Sequence, residues 1–245
     1  MSATLNTVPD PAIEVRDLTK HYGEVRAVEG VSLTVGRGEL FGLLGPNGSG
    51  KTTINRLLTG QIRPTKGSAR VLGVDVLDRP LEVRERVGII PEQETPPSFL
   101  TAEEYLHFVG RIRGVERIDA QADRWFRLLD FEEKREVLCK DLSRGTRQKL
   151  MFAQAFLHEP TLAFIDEPLI NLDPIMQRRV KNFLTEYVAE GNTIFISTHI
   201  LGIAEEICSR IGIIYRGRIV HDAPVRDLRE GGTRLEDLFL ACTAA

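Results

Sequence analysis

The segment Gly45-Pro46-Asn47-Gly48-Ser49-Gly50-Lys51-Thr52 constrains this chain more than any other stretch. It fits G-x-x-x-x-G-K-[ST] at every fixed position. Glycines let the backbone wrap closely round a phosphate chain and turn its N–H groups inward. A helix starting near Lys51 adds its positive end to the same cradle. Lys51 supplies a compact charge for β- and γ-phosphates, and Thr52 offers a hydroxyl to Mg²⁺. A glycine-rich turn can also join strand to helix and bind nothing. Here, however, the loop follows the apolar run 40–44, which suits a strand buried on both faces.

Other apolar runs resemble that strand: 87–90, 162–165, 193–197 and 211–215, while 13–18 and 31–35 alternate as half-buried strands do. Helical periodicity covers 119–130, 144–158, 174–190 and 199–209. Thr101-Ala102-Glu103-Glu104 has capping-box spacing and opens a further helix to about Arg113. Buried strands alternating with helices predict an α/β fold with a parallel sheet covered on both faces. Residues 93–159 interrupt the alternation and predict an inserted helical subdomain. Residues 1–11 are expected to form a loose leader, and 231–245 a short C-terminal extension.

Three further clusters carry chemistry. Residues 162–165 lead into Asp166-Glu167, two carboxylates at the C-terminal edge of a buried strand, where parallel sheets bind ligands. There Asp166 suits a Mg²⁺ shell and Glu167 suits polarising a water; the pair equally suits a helix N-cap. In Ser197-Thr198-His199 another strand end meets a helix, so His199 either contacts a γ-phosphate or serves structure alone. In Ser143-Arg144-Gly145-Thr146-Arg147 a serine cap opens a helix whose first turn is basic. Basic residues there oppose the helix dipole, and an anion would compensate them.

A formal net charge of −3 gives no reason to expect nucleic acid as the main partner. Three widely spaced cysteines (Cys139, Cys208, Cys242) fit neither a disulfide framework nor a zinc spacing, as in a reducing compartment. No apolar run approaches the ~18–20 residues that cross a bilayer, and no secretory signal opens the chain. A soluble, intracellular protein is expected, one that works from the aqueous side if it serves a membrane.

Taken together and in this order, the motifs resemble the nucleotide-binding subunit of an ATP-binding cassette (ABC) transporter, over about 13–228. The resemblance implies a P-loop NTPase fold, with an antiparallel β subdomain beside the RecA-like, mainly parallel sheet. Residues 45–53, ending in Thr53, resemble its Walker A; 162–167 its Walker B, with Glu167 as catalytic glutamate. Leu142–Thr146 stands where the family has LSGGQ, with Ser143 and Gly145 retained. Asp173 falls in the D-loop that contacts the opposite subunit, His199 matches the switch histidine, and Tyr22 matches the aromatic that stacks on adenine. Pro91-Glu92-Gln93 resembles the Q-loop, where either Glu92 or Gln93 serves at Mg²⁺. Arg144, Thr146 and Asn171 depart from the family pattern, but Lys51, Asp166, Glu167 and His199 do not.

The resemblance implies ATP and Mg²⁺ as cofactors and a homo- or heterodimer that shares its ATP sites head to tail. It also implies separate permease subunits, at the cytoplasmic face of the cell membrane. LSRGTRQ and a Q-loop glutamate resemble ABC-2 export-type cassettes, and 94–100 is a plausible groove for a permease helix. The competing expectation is a soluble ABC ATPase in an assembly process such as iron–sulfur cluster biogenesis.

Overall fold

The computed structural model describes residues 10–93 and 96–244. Most of the expected leader, and Glu94 and Thr95 of the expected groove, lie outside the described residues. Four strands form an antiparallel sheet in the order β2-β1-β4-β5: β1 (Ile13–Tyr22), β2 (Val25–Val35), β4 (Lys66–Val71) and β5 (Val74–Asp75). A second, six-stranded sheet is built from β3 (Leu40–Leu44), β6 (Val87–Ile90), β7 (Leu162–Asp166), β8 (Thr193–Thr198), β9 (Arg210–Tyr215) and β10 (Arg218–Pro224). Its order is β10-β9-β3-β8-β7-β6, and all pairs are parallel except β10 on β9.

Both faces of the parallel sheet are covered, which is why its strands carry apolar residues without alternation. Successive side chains still point to opposite sides. Leu40, Leu44, Ile165, Ile194 and Ile196 join one core, whereas Phe41, Leu43, Phe164 and Phe195 join the other. Phe195 lies between Phe41 and Phe164, with ring centroids 5.4 and 5.6 Å away. The antiparallel sheet supplies most of this second core, through residues such as Ile13, Val28 and Val71.

The first core belongs to the helices. α3 (Ala102–Ile112), α4 (Ile118–Leu128) and α5 (Arg144–Phe156) fill the expected insertion. Both capping-box bonds form: Glu104 N–H donates to Thr101 Oγ1 at 3.2 Å, and Thr101 N–H to Glu104 Oε2 at 2.8 Å. The insertion has no separate core, because Trp125, Phe152 and Phe156 share one apolar cluster with Ile194 and Ile211 of the sheet. α6 (Pro174–Ala189) completes that layer, its Phe183 meeting Trp125 edge-on at 5.1 Å.

α1 (Lys51–Leu58) follows β3 directly through the 45–52 loop, and α2 (Pro80–Arg86) precedes β6. The helix expected over 199–209 is shorter, as α7 (Leu201–Ile207). Thr198 stays in β8, His199 turns toward Glu167, and the Ser209 N–H bonds to the Leu40 carbonyl. Beyond β10 come α8 (Val225–Glu230) and α9 (Leu235–Thr243), with Leu235 buried in the first core.

Candidate functional site

The 45–52 loop closes between β3 and α1. Gly50 has φ +113°, and a Cβ there would stand 2.5 Å from the Ala27 carbonyl, so only glycine fits. Lys51 is 7% exposed; its Nζ donates to the Gly45 carbonyl at 2.7 Å and the Pro46 carbonyl at 3.2 Å. Burial pushes the Lys51 ammonium below its usual pKa, while Glu167, Asp166 and Glu92 pull it back up. Ser49 Oγ is buried with no hydrogen-bond partner among the described residues. Asn47 and Gly48 are exposed at the mouth of the loop, while Pro46 and Thr53 are half-buried. A buried cation beside an orphaned hydroxyl fits a phosphate chain.

The carboxylates arrive from the next strands. Thr52 Oγ1 donates to Asp166 Oδ2 at 2.9 Å, and Glu92 Oε2 lies 3.4 Å from the same hydroxyl. One hydroxyl and two carboxylates are hard oxygen donors, and they suit Mg²⁺, which completes its shell with phosphate and water. Among the described residues no group of three or more His, Cys, Asp and Glu could hold a metal alone. The fit is therefore to a metal shared with a substrate. Of the two Q-loop residues, Glu92 makes the contact to Thr52; Gln93 lines the same cavity, of about 350 Å³, with Thr52, Asn55 and Asp166.

Glu167 adopts φ +50°, an uncommon backbone for a non-glycine residue and one concentrated at functional sites. Its Oε1 accepts from the His199 backbone N–H at 3.0 Å and lies 2.6 Å from His199 Nδ1. Its Oε2 accepts from Thr198 Oγ1 at 2.9 Å. The Glu167 side chain is 8% exposed and that of His199 45%, so the imidazole stands between the buried carboxylate and solvent.

The other expected residues lie apart from this cluster. Tyr22 ends β1, 45% exposed, with Lys20 Nζ 4.9 Å from its ring centroid. Ser143 caps α5, its Oγ accepting from the Thr146 N–H at 3.1 Å. Asp173 caps α6 through the N–H groups of Ile175 and Met176, both at 3.0 Å, and these bonds hold its carboxyl below the usual range. A Cβ on Gly145 would stand 2.8 Å from the Asn171 carbonyl, which ties α5 to the loop after Walker B. Asn171 itself has φ +67°, a conformation asparagine tolerates better than most residues. Its replacement of glycine is thereby explained, and the Thr146 hydroxyl adds a side-chain contact to the α5 cap, 2.8 Å from Ser143 Oγ. Arg144 is exposed, and nothing in the structure explains it.

Sequence reasoning missed the supporting layer. Asn55 Nδ2 donates to Ser197 Oγ at 2.7 Å, and Ser197 Oγ donates to Asp166 Oδ1 at 2.6 Å. The available signal was an asparagine four residues after Lys51, on the face of α1 that also buries Ile54 and Leu58.

A family model described as "ABC transporter" matches residues 28–170. This chain belongs to the ABC transporter family. The ABC chain is 36% identical over 215 residues to the Nod factor export ATP-binding protein I of Rhizobium meliloti, covering 87% of this chain and 64% of that protein. It is 36% identical to the daunorubicin/doxorubicin resistance ATP-binding protein DrrA of Streptomyces peucetius, covering 92% of this chain and 69% of that one. The first relatives are thus longer proteins, of whose length the ABC chain spans less than two thirds. Among solved structures, an ATP-binding subunit of an ABC transporter superposes with TM-score 0.87 at 32% identity, over 94% of this chain and 99% of that one. A dimeric ATP-binding cassette bound to ADP and Pi shares the fold, with TM-score 0.81 at 22% identity over 87% and 99% of the two chains. No helix among the described residues is long and apolar enough to cross a membrane.

Proposed function

We propose that this chain is the ATP-binding and ATP-hydrolysing subunit of an exporter, one of two cassettes that meet head to tail and drive a separate permease. The observation that carries the reading is the meeting of Lys51, Thr52, Asp166 and the Glu167–His199 pair at the C-terminal ends of β3, β7 and β8. Thr52 and Asp166, with Glu92 or Gln93 beside them, would hold Mg²⁺, which would supply charge to polarise the β- and γ-phosphates. Backbone N–H groups of 45–52 cradle the phosphates, with Thr53 in the first turn of α1, and Tyr22 stacks on the adenine. Glu167 accepts a hydrogen bond and then the proton from the attacking water, as that water's oxygen bonds the γ-phosphorus and the bond to ADP breaks. His199 holds the carboxylate in place. Lys51 balances the charge that develops on the leaving phosphate.

Ser143, Gly145 and Asp173 lie outside this cluster because they act on the partner cassette's ATP. Relatives named for Nod factor export and for drug resistance favour export over an assembly role such as iron–sulfur cluster biogenesis. The working place is the cytoplasmic face of the cell membrane, beside the permease. Glu167→Gln tests the reading: ATP turnover is lost, while ATP-dependent dimerisation, read by gel filtration with light scattering, persists. Unchanged turnover in that variant overturns the assigned chemistry. Recovery wholly in the soluble fraction, with the permease co-expressed, overturns the transport role.

A further inference from the structure

Asn55 sits on the buried face of α1 at 8% exposure, among Ile54, Leu57 and Leu58. An amide there costs free energy unless its hydrogen-bonding groups are satisfied. Its Nδ2 is satisfied by Ser197 Oγ, but its Oδ1 is buried with no partner among the described residues. An unpaired buried Oδ1 weighs against Asn55 serving stability alone. The bond that is made leads to the metal corner, in a chain whose direction is fixed by donor and acceptor chemistry.

An ionised carboxylate only accepts. The single proton of Ser197 Oγ therefore points to Asp166 Oδ1, at 2.6 Å, and the serine oxygen can only accept from Asn55. Flipping the Asn55 amide would set Oδ1 against an oxygen with no proton to give. On the other side, the proton of Thr52 Oγ1 points to Asp166 Oδ2, at 2.9 Å. Both hydroxyl protons thus end on Asp166, and the Thr52 lone pairs are left for a cation.

We propose that Asn55 is a positioning residue for the metal site. By donating to Ser197 it fixes the direction of the serine proton and pins Asp166 Oδ1. Asp166 Oδ2 is then held toward Thr52 and the cation. Bonds to a ligating carboxylate of this kind tune metal affinity without touching the metal. The inference rests on the Mg²⁺–ATP reading above and goes beyond it by assigning a role to a residue outside the recognised motifs.

The test uses the full chain with Asn55→Leu and, separately, Ser197→Ala. Nucleotide affinity is measured by calorimetry with EDTA and across a Mg²⁺ series, and Mn²⁺ binding to the ADP complex by electron paramagnetic resonance. In both variants the divalent-ion affinity is expected to fall about tenfold, with EDTA-state nucleotide affinity within about twofold of wild type. The double variant is expected to be no weaker than either single one, because one chain is cut in two places. The Tm of Asn55→Leu is expected to match or exceed wild type, an outcome that a purely structural role would reverse. Wild-type metal affinity in both folded variants overturns the relay. A wild-type protein whose nucleotide affinity ignores Mg²⁺ overturns instead the functional reading beneath it.

Discussion

His199 Nδ1 lies 2.6 Å from Glu167 Oε1, which also accepts the His199 backbone N–H at 3.0 Å. With Thr198 Oγ1 on the other oxygen, the carboxylate is fixed at both ends before any substrate arrives. His199→Ala is expected to lower kcat for ATP hydrolysis by about 10²-fold and to change KM by less than about threefold. Steady-state kinetics check this; wild-type kcat would remove His199 from the mechanism.

Lys51 is held below its usual pKa chiefly by burial, despite three nearby carboxylates. The folded chain therefore binds that proton less well than the unfolded chain, and the charge weakens the fold at neutral pH. Lys51→Met is expected to abolish nucleotide binding yet raise Tm, because burial costs the charge more than the three carboxylates return. Calorimetric melting without nucleotide measures the gain, and a lowered Tm contradicts it.

Gly145 and Asn171 approach too closely for a methyl group between them, 2.8 Å from the built Cβ to the Asn171 carbonyl. Gly145→Ala is expected to cost about 1–3 kcal/mol. Asn171→Gly is expected to be nearly neutral, whereas Asn171→Val loses about 1–2 kcal/mol through its left-handed backbone. Urea titration of the three variants gives the order directly.

Burial, helped by the neighbouring Arg113 charge, pushes the His158 imidazole from 6.5 down to about 4. The fold holds it neutral, so its stabilising share is complete above pH 6.5 and is lost as pH falls toward 4. Between pH 7 and pH 5 the loss is expected to be about 1–2 kcal/mol. His158→Gln should flatten that part of the stability–pH curve; an unchanged slope shows that other groups control it.

The parallel strands were legible because burial on both faces leaves continuous apolar runs such as 40–44 and 193–197. β4 and β10 were not, since most of their residues remain at least partly exposed and their partners set their register. The start of α7 was misplaced because helical periodicity cannot show that a side chain is claimed elsewhere. His199 is so claimed, by a carboxylate 32 residues away.

The 45–52 loop and the carboxylates at the end of 162–167 could be read from the chain alone. Both are contiguous, with chemistry that depends on local spacing and on a strand running into a turn. That Glu92 makes the contact to Thr52, and that Gly145 must leave room for Asn171, follows only from how the chain folds back on itself. That folding alone set the Asn55–Ser197–Asp166 chain behind the Thr52–Asp166 contact. Thr52 meets Asp166 across 114 residues of sequence, and Asn55 meets Ser197 across 142. Such contacts exist because β3, β7 and β8 lie side by side in a register that places Asp166 opposite Ser197. Hydrogen bonds between distant side chains depend on that alignment to within a few tenths of an ångström, and no local pattern in the chain encodes it.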